Sequence, residues 1–327
     1  MDTPEFLSTT LHIITVVAIP FHVLGTYCIF FQTPKTMGSV KYVMMNFHAW
    51  CILCDWMLAV MTIPYLLFPA MVGFPLGILK YFDVPIDIQV YLVAVGITAV
   101  YSSIVLIFEN RYYMMFAQKT RWKYFRVLLS TFNYTLSVVF FIPALLTVPE
   151  QNMAMNYVLQ NYLYLPPDLV KRSFIFAIEF KWVVFPVATV VLIYAAELNV
   201  VVALLSRNMK NTMKMATYSK QTAMMQKKFI QAMYIQAAVF FLNLQLPILY
   251  TVLSQFTDFY SQTANNLVFI IVSLHGIDST IIMLWAHKPY REFCMRALAK
   301  LKLPVRVRVL PTRPTTISVM PSSNIAS

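Results

Sequence analysis

A bundle of seven helices crossing a lipid bilayer is the fold this sequence predicts, all-α, with the N-terminus outside and the C-terminus in the cytoplasm. Three observations lead there. Apolar residues make up 59% of the 327 positions and charged residues only 12%, about half the share a soluble domain carries, so the charges present cannot coat a water-facing surface. Those charges fall in short bursts between long charge-free runs. Glycine counts only 6, too few for Gly-rich phosphate loops or a sheet of many tight turns. The same figures exclude disorder, collagen and a disulfide scaffold. The net charge of +12 does not point to nucleic acid, which needs a polar domain with one basic face.

Phe6 to Pro34 carries no charge, and Tyr42 to Leu79 carries only Asp55. Ile88 to Phe108, Val127 to Pro149 and Phe229 to Thr257 are charge-free. Trp182 to Ser206 holds only Glu197, and Phe259 to His287 only Asp278. Each exceeds the roughly 20 residues that cross about 30 Å of hydrocarbon at about 1.5 Å per residue. After the seventh run, Tyr290 to Lys302 reads as a basic amphipathic helix, with Phe293, Ala297, Leu298 and Leu301 along one side and Arg291, Arg296 and Lys300 facing anionic headgroups. The membrane domain thus spans 1–303, and 304–327, with Pro311, Pro314 and Pro321 among Ser and Thr, reads as a disordered cytoplasmic tail.

Orientation follows from Lys and Arg. With the N-terminus outside, 21 of the 25 cations fall in inner loops and the tail, leaving Lys80, Lys171, Arg172 and Lys181 outside; inner loops carry the cation excess. No basic segment precedes the first apolar run, so helix one is expected to serve as its own insertion signal. Cys28, Cys51 and Cys54 fall inside helices and Cys294 in the cytoplasm, so no outer-loop disulfide is expected. Cys51 and Cys54 read as small core residues.

Seven helices in this orientation are the plan of a G-protein-coupled receptor, and local features fit it. Glu109, Asn110 and Arg111 close helix three at the inner face. Arg111 is explained either as an anchor snorkelling to the interface or as a switch released toward a heterotrimeric G-protein. Pro247 removes one backbone hydrogen bond from helix six and permits a kink, which would enlarge a small shift near a ligand into a swing at the inner end. Pro289 and Tyr290 follow helix seven and complete the coupling set.

These residues also carry a family resemblance. Pro64-Tyr65-Leu66-Leu67-Phe68-Pro69, Gly73 and Pro75-Leu76-Gly77 resemble the nematode serpentine chemoreceptors of class H. So do Glu109-Asn110-Arg111, Pro149-Glu150-Gln151, Gln226-Lys227-Lys228-Phe229 with Gln236, Pro247, Ser273-Leu274-His275-Gly276 with Ser279-Thr280, and His287-Lys288-Pro289-Tyr290-Arg291. Their order and spacing run from helix one to Lys302. The resemblance implies a plasma-membrane receptor, on sensory-neuron cilia, detecting small environmental chemicals through G-proteins. The sequence departs from rhodopsin-like receptors in having Asn110 directly before Arg111 and Leu246 before Pro247. Glu109 and Arg111, two apart, do not face each other on a helix.

Intramembrane polar residues are the clue to mechanism, because burying charge in lipid is costly. His48 and Asp55 share one face of helix two, and His275 and Asp278 one face of helix seven. Counted at about 1.5 Å per residue, Asp55 lies level with His275 and His48 level with Asp278; Asp55 and His275 are the expected pair, since the deeper acid has the greater need of a partner. A sodium ion at Asp55 would draw on Asp278, Ser279, Ser102 and Ser103. Ligand-pocket candidates are Tyr91, Asn243, Gln245 and His275, in a pocket suited to a small, mostly apolar, odorant-like molecule. Neither a cofactor nor a metal is expected. Two rival classes use the same residues: a seven-helix zinc hydrolase with His48, His275, His287, Asp55 and Asp278 as ligands, in which His287 sits too near the membrane edge to converge, and a ligand-gated channel, for which no helix shows the polar stripe a pore requires.

Overall fold

The computed structural model describes residues 1–34, 38–215 and 231–301. The 304–327 tail, the Gln226 to Phe229 motif and the side chains of Lys300 and Leu301 lie outside the described residues. Seven helices are long and apolar enough to cross a membrane: α1 (Pro4–Gln32), α2 (Val40–Met61), α3 (Ile86–Ala117), α4 (Trp122–Leu146), α5 (Lys181–Thr212), α6 (Gln231–Thr257) and α7 (Gln262–Ala286). An eighth helix, α8 (Lys288–Leu301), follows α7. Thr3 caps α1 by accepting a hydrogen bond from the Phe6 amide at 3.2 Å, and Pro4 stands in the first turn, where its missing N–H leaves no bond unmade.

Burial separates central helices from peripheral ones. Within their most apolar stretches, 61% of α3 and 67% of α7 is buried, against 17% of α5 and 22% of α6. The outer pair instead turns large apolar side chains outward, including Leu192, Val200 and Leu242. In water such a surface would drive aggregation; in hydrocarbon it carries no penalty, and helix association rests on close packing and interhelical hydrogen bonds.

To the expected helices the structure adds a small antiparallel sheet on the face that holds the N-terminus. It comprises β1 (Pro64–Leu66), β2 (Met71–Pro75) and β3 (Phe174–Ala177), in the order β1-β2-β3. Tyr65 pairs with Phe74, Leu66 with Gly73, and Val72 with Ile175. The charge-free run from Tyr42 to Leu79 suggested a longer helix two, yet the helix stops at Met61. Pro64, Pro69 and Pro75 explain the difference, because a proline inside a helix removes a donor and clashes with the preceding turn. The Pro149-Glu150-Gln151 motif supports this sheet. Glu150 accepts from the amides of Asn152 and Met153 at 3.0 and 2.8 Å and so caps the helix Gln151–Asn161. Gln151 bonds both the N–H and the C=O of Ile175, at 3.0 and 3.1 Å, as a neighbouring strand would. From α7, Gln262 and Asn265 donate to the carbonyls of Leu66 and Phe68, which ties the sheet to the bundle.

In α6 the turn Phe241–Gln245 is wound more widely than an α-helix, with the Leu246 amide bonding Phe241 five residues back. Pro247 stands just beyond it. Its ring would otherwise press on the Asn243 carbonyl, and a widened turn is one of the recognised causes of a helix kink.

Candidate functional site

The first polar constellation lies where α1, α2 and α7 meet. His22 Nε2 stands 3.0 Å from Asp55 Oδ2, with both side chains buried. His22 Nδ1 is a buried atom with no hydrogen-bond partner among the described residues. His48 Nε2 lies 3.1 Å from the His22 carbonyl and 3.1 Å from Thr26 Oγ1. Two glycines make this approach possible. A Cβ on Gly276 of α7 would fall onto the Asp55 carboxylate, and one on Gly25 of α1 would come within 2.8 Å of both the His48 ring and the Thr280 methyl.

This arrangement corrects the expected Asp55–His275 pair. Asp55 is taken by His22, a residue the charge-based reading of helix one passed over. His275 instead stands 3.1 Å from the Ser279 hydroxyl of its own helix, against the rings of Phe47 and Phe240. Depth along a helix fixes height but not azimuth, and a third helix reached the acid first. Asp278 accepts from Asn243 Nδ2 at 2.8 Å, across from the widened turn of α6. Of the proposed sodium donors, Ser102 bonds Ser137 and Tyr194 at 2.9 Å, and Ser103 bonds the Val100 carbonyl at 2.7 Å. Among the described residues no three or more His, Cys, Asp or Glu side chains are grouped to hold a metal ion.

A second constellation closes the opposite face. Glu109, fully buried, accepts from Trp122 Nε1 at 2.8 Å, and Arg126 at the start of α4 stands 3.2 Å from its other oxygen. The same guanidinium donates to Asn110 Oδ1 at 2.9 Å and covers the Tyr113 ring at 4.2 Å. Arg111 lies 5.5 Å from the Phe108 ring centre. The acid and amide before Arg111 are therefore engaged by the next helix. Tyr290, also buried, joins α8 to the end of α1 through Thr33 Oγ1 at 2.6 Å, and Phe293 stacks near Tyr27 at 5.3 Å. Pro289 occupies the first turn of α8, where proline is tolerated.

A cavity of about 190 Å³ lies at the N-terminal face. The sheet roofs it and the ends of α3, α4, α5 and α6 wall it, with Phe74, Phe141, Phe174, Phe176 and Val187 prominent among its lining. None of the four pocket candidates lines it. The Tyr91 hydroxyl is spent on the Val138 carbonyl at 2.9 Å, Asn243 on Asp278, and His275 lies deeper in the bundle; Gln245 belongs to the widened turn of α6. The lining comes largely from the sheet, which helical periodicity could not reveal, although the spaced prolines signalled a break.

With the geometry in place, the fold can be compared with known structures. The crystal structure of squid rhodopsin matches with a TM-score of 0.54 at 11% identity, covering 91% of this chain and 86% of that one, so the two share a fold of seven membrane-crossing helices. The sequence model of the serpentine type 7TM GPCR chemoreceptor Srh family matches residues 2–300, and the chain belongs to that family. A curated relative, serpentine receptor class H-72 of Caenorhabditis elegans, is 25% identical in a match that covers 94% of this chain and 90% of that one.

Proposed function

We propose that this chain is a chemosensory receptor of the plasma membrane, on sensory-neuron cilia, that reports small environmental chemicals to a heterotrimeric G-protein. The N-terminal face, with sheet and cavity, looks outward, and the face carrying Glu109, Arg111 and Arg126 looks into the cytoplasm. The observation that carries this reading is family membership over residues 2–300, joined to the 21-to-4 distribution of cations between the two faces. Signalling proceeds by movement of the inner half of α6 about the widened turn before Pro247. The Asn243–Asp278 bond spans that turn and α7, so it links the hinge to the central helix.

Arg111 supplies the test. Arg111→Ala is expected to reach the cell surface at roughly the wild-type level and to lose the calcium or cAMP response to any activating chemical. An unchanged response at equal surface level would make Arg111 an interfacial anchor and remove it from the coupling machinery.

A further inference from the structure

We propose that the cavity beneath the sheet is a binding site for an uncharged, mostly apolar molecule of about eight heavy atoms bearing one hydrogen-bonding group, and that Thr62 is the residue that reads this group. The inference rests on the receptor reading, since it names the ligand class of such a receptor.

Three observations meet here. The first is size: an apolar cavity of about 150 Å³ accepts a benzene ring, so about 190 Å³ accommodates a ring with a two-atom substituent. The second is chemistry. Aromatic rings and valines dominate the lining and no ionisable side chain belongs to it, so a charged ligand would lose its hydration without a counter-ion. A second hollow at the loop rim of this face is lined by Glu179, Lys181 and Asp258, and it offers charged groups that the apolar cavity lacks.

The third observation is Thr62 itself. It lines the cavity, is 2% exposed, and its hydroxyl has no hydrogen-bond partner among the described residues. A buried hydroxyl without a partner is costly, and threonines on helices ordinarily bond a carbonyl of the preceding turn, as Thr98 and Thr280 do here. The backbone of Thr62 is held on both sides. Its N–H bonds the Met57 carbonyl at 2.9 Å and its C=O accepts from the Gly77 amide at 2.8 Å. A Cβ on Gly77 would collide with the Met61 carbonyl, so only glycine lets the chain return this close. The next residue, Ile63, has φ 46°, a left-handed conformation that a β-branched side chain rarely adopts, and it turns the chain sharply from α2 into β1. Thr62 is thus fixed at the cavity wall by the turn that starts the sheet.

The test uses three probes of one shape: ethylbenzene, benzyl alcohol and benzylammonium. Each is titrated onto the purified full-length protein in lipid nanodiscs, against nanodiscs lacking protein. Saturable one-to-one binding is expected for ethylbenzene and benzyl alcohol, and none for benzylammonium. Thr62→Val should weaken benzyl alcohol about fivefold, the value of one neutral hydrogen bond, and leave ethylbenzene within about twofold. Val187→Phe should remove binding of both. Should that variant fail to fold, Val187→Ala decides instead, because enlarging the wall should admit butylbenzene, which the wild type refuses. Equal binding of benzylammonium, or neutral binding insensitive to both Val187 substitutions, would overturn the site, as would the absence of any saturable binding. An equal effect of Thr62→Val on both neutral probes would overturn the role of Thr62. The outcomes also separate this inference from the receptor reading. Binding that follows the Val187 variants in a protein that never signals would support the site and refute the receptor; chemical signalling unaltered by those variants would refute the site alone.

Discussion

His22 and Asp55 each satisfy a polar group that lipid cannot, and their 3.0 Å contact joins the His48 contacts in holding α1 to α2. Breaking a buried pair by removing one partner costs on the order of 3 kcal/mol, because the remaining group stays buried and unpaired. His22→Ala and Asp55→Asn are each expected to lower the thermal stability of the purified protein in nanodiscs. The double variant should lose less than the sum, with a coupling of about 1 kcal/mol or more. Strict additivity would mean that the two side chains do not depend on each other. The sequence located Asp55 as the deep acid but missed its partner. A histidine carries no fixed charge, so His22 is hidden in a charge-free run. The readable signal was the general requirement that an intramembrane acid find a donor, applied to every helix and not only to the two thought to be neighbours.

Among the elements, all seven spans were legible, because a run of about 20 apolar residues has few other uses. The sheet was not, since hydrophobicity alone cannot separate the end of a buried helix from a short buried strand. Pro64, Pro69 and Pro75 marked the boundary, and the Pro149-Glu150-Gln151 motif proved to be the support for β3. Glu150 gives that support a pH dependence. Hydrogen bonds from the Met153 and Asn152 amides hold its carboxyl below its ordinary value of 4.5. A depressed acid stabilises the fold fully above pH 4.5 and loses that contribution as pH falls through the lower folded-state value. Amide exchange in Gln151–Asn161 is therefore expected to quicken, beyond its chemical pH dependence, when pH drops from 5 toward 3. In Glu150→Gln, which cannot ionise, this acid-induced loss of protection should be missing. Identical behaviour of the two proteins would show that the cap does not secure the helix.

At the scale of the whole molecule, the chain places different chemistry at its two ends. One end has an apolar cavity under a sheet, with Tyr65 donating to the Asp2 carbonyl and Asn266 to that of Met1, so the N-terminus is fastened to the same roof. The other has the Glu109–Arg126 pair and α8, anchored by Tyr290. Between them run α3 and α7, the most enclosed helices, which carry Ser102 and Asp278 into the polar contacts with α4, α5 and α6. Receptor function needs these ends on opposite sides of the membrane, with the cavity outside. Small epitope tags at Asp2 and Ser327 test that requirement most directly. Antibody added to intact cells is expected to label the Asp2 tag, and the Ser327 tag only after permeabilisation. Labelling of Ser327 on intact cells, or of both tags from one side, would contradict the account.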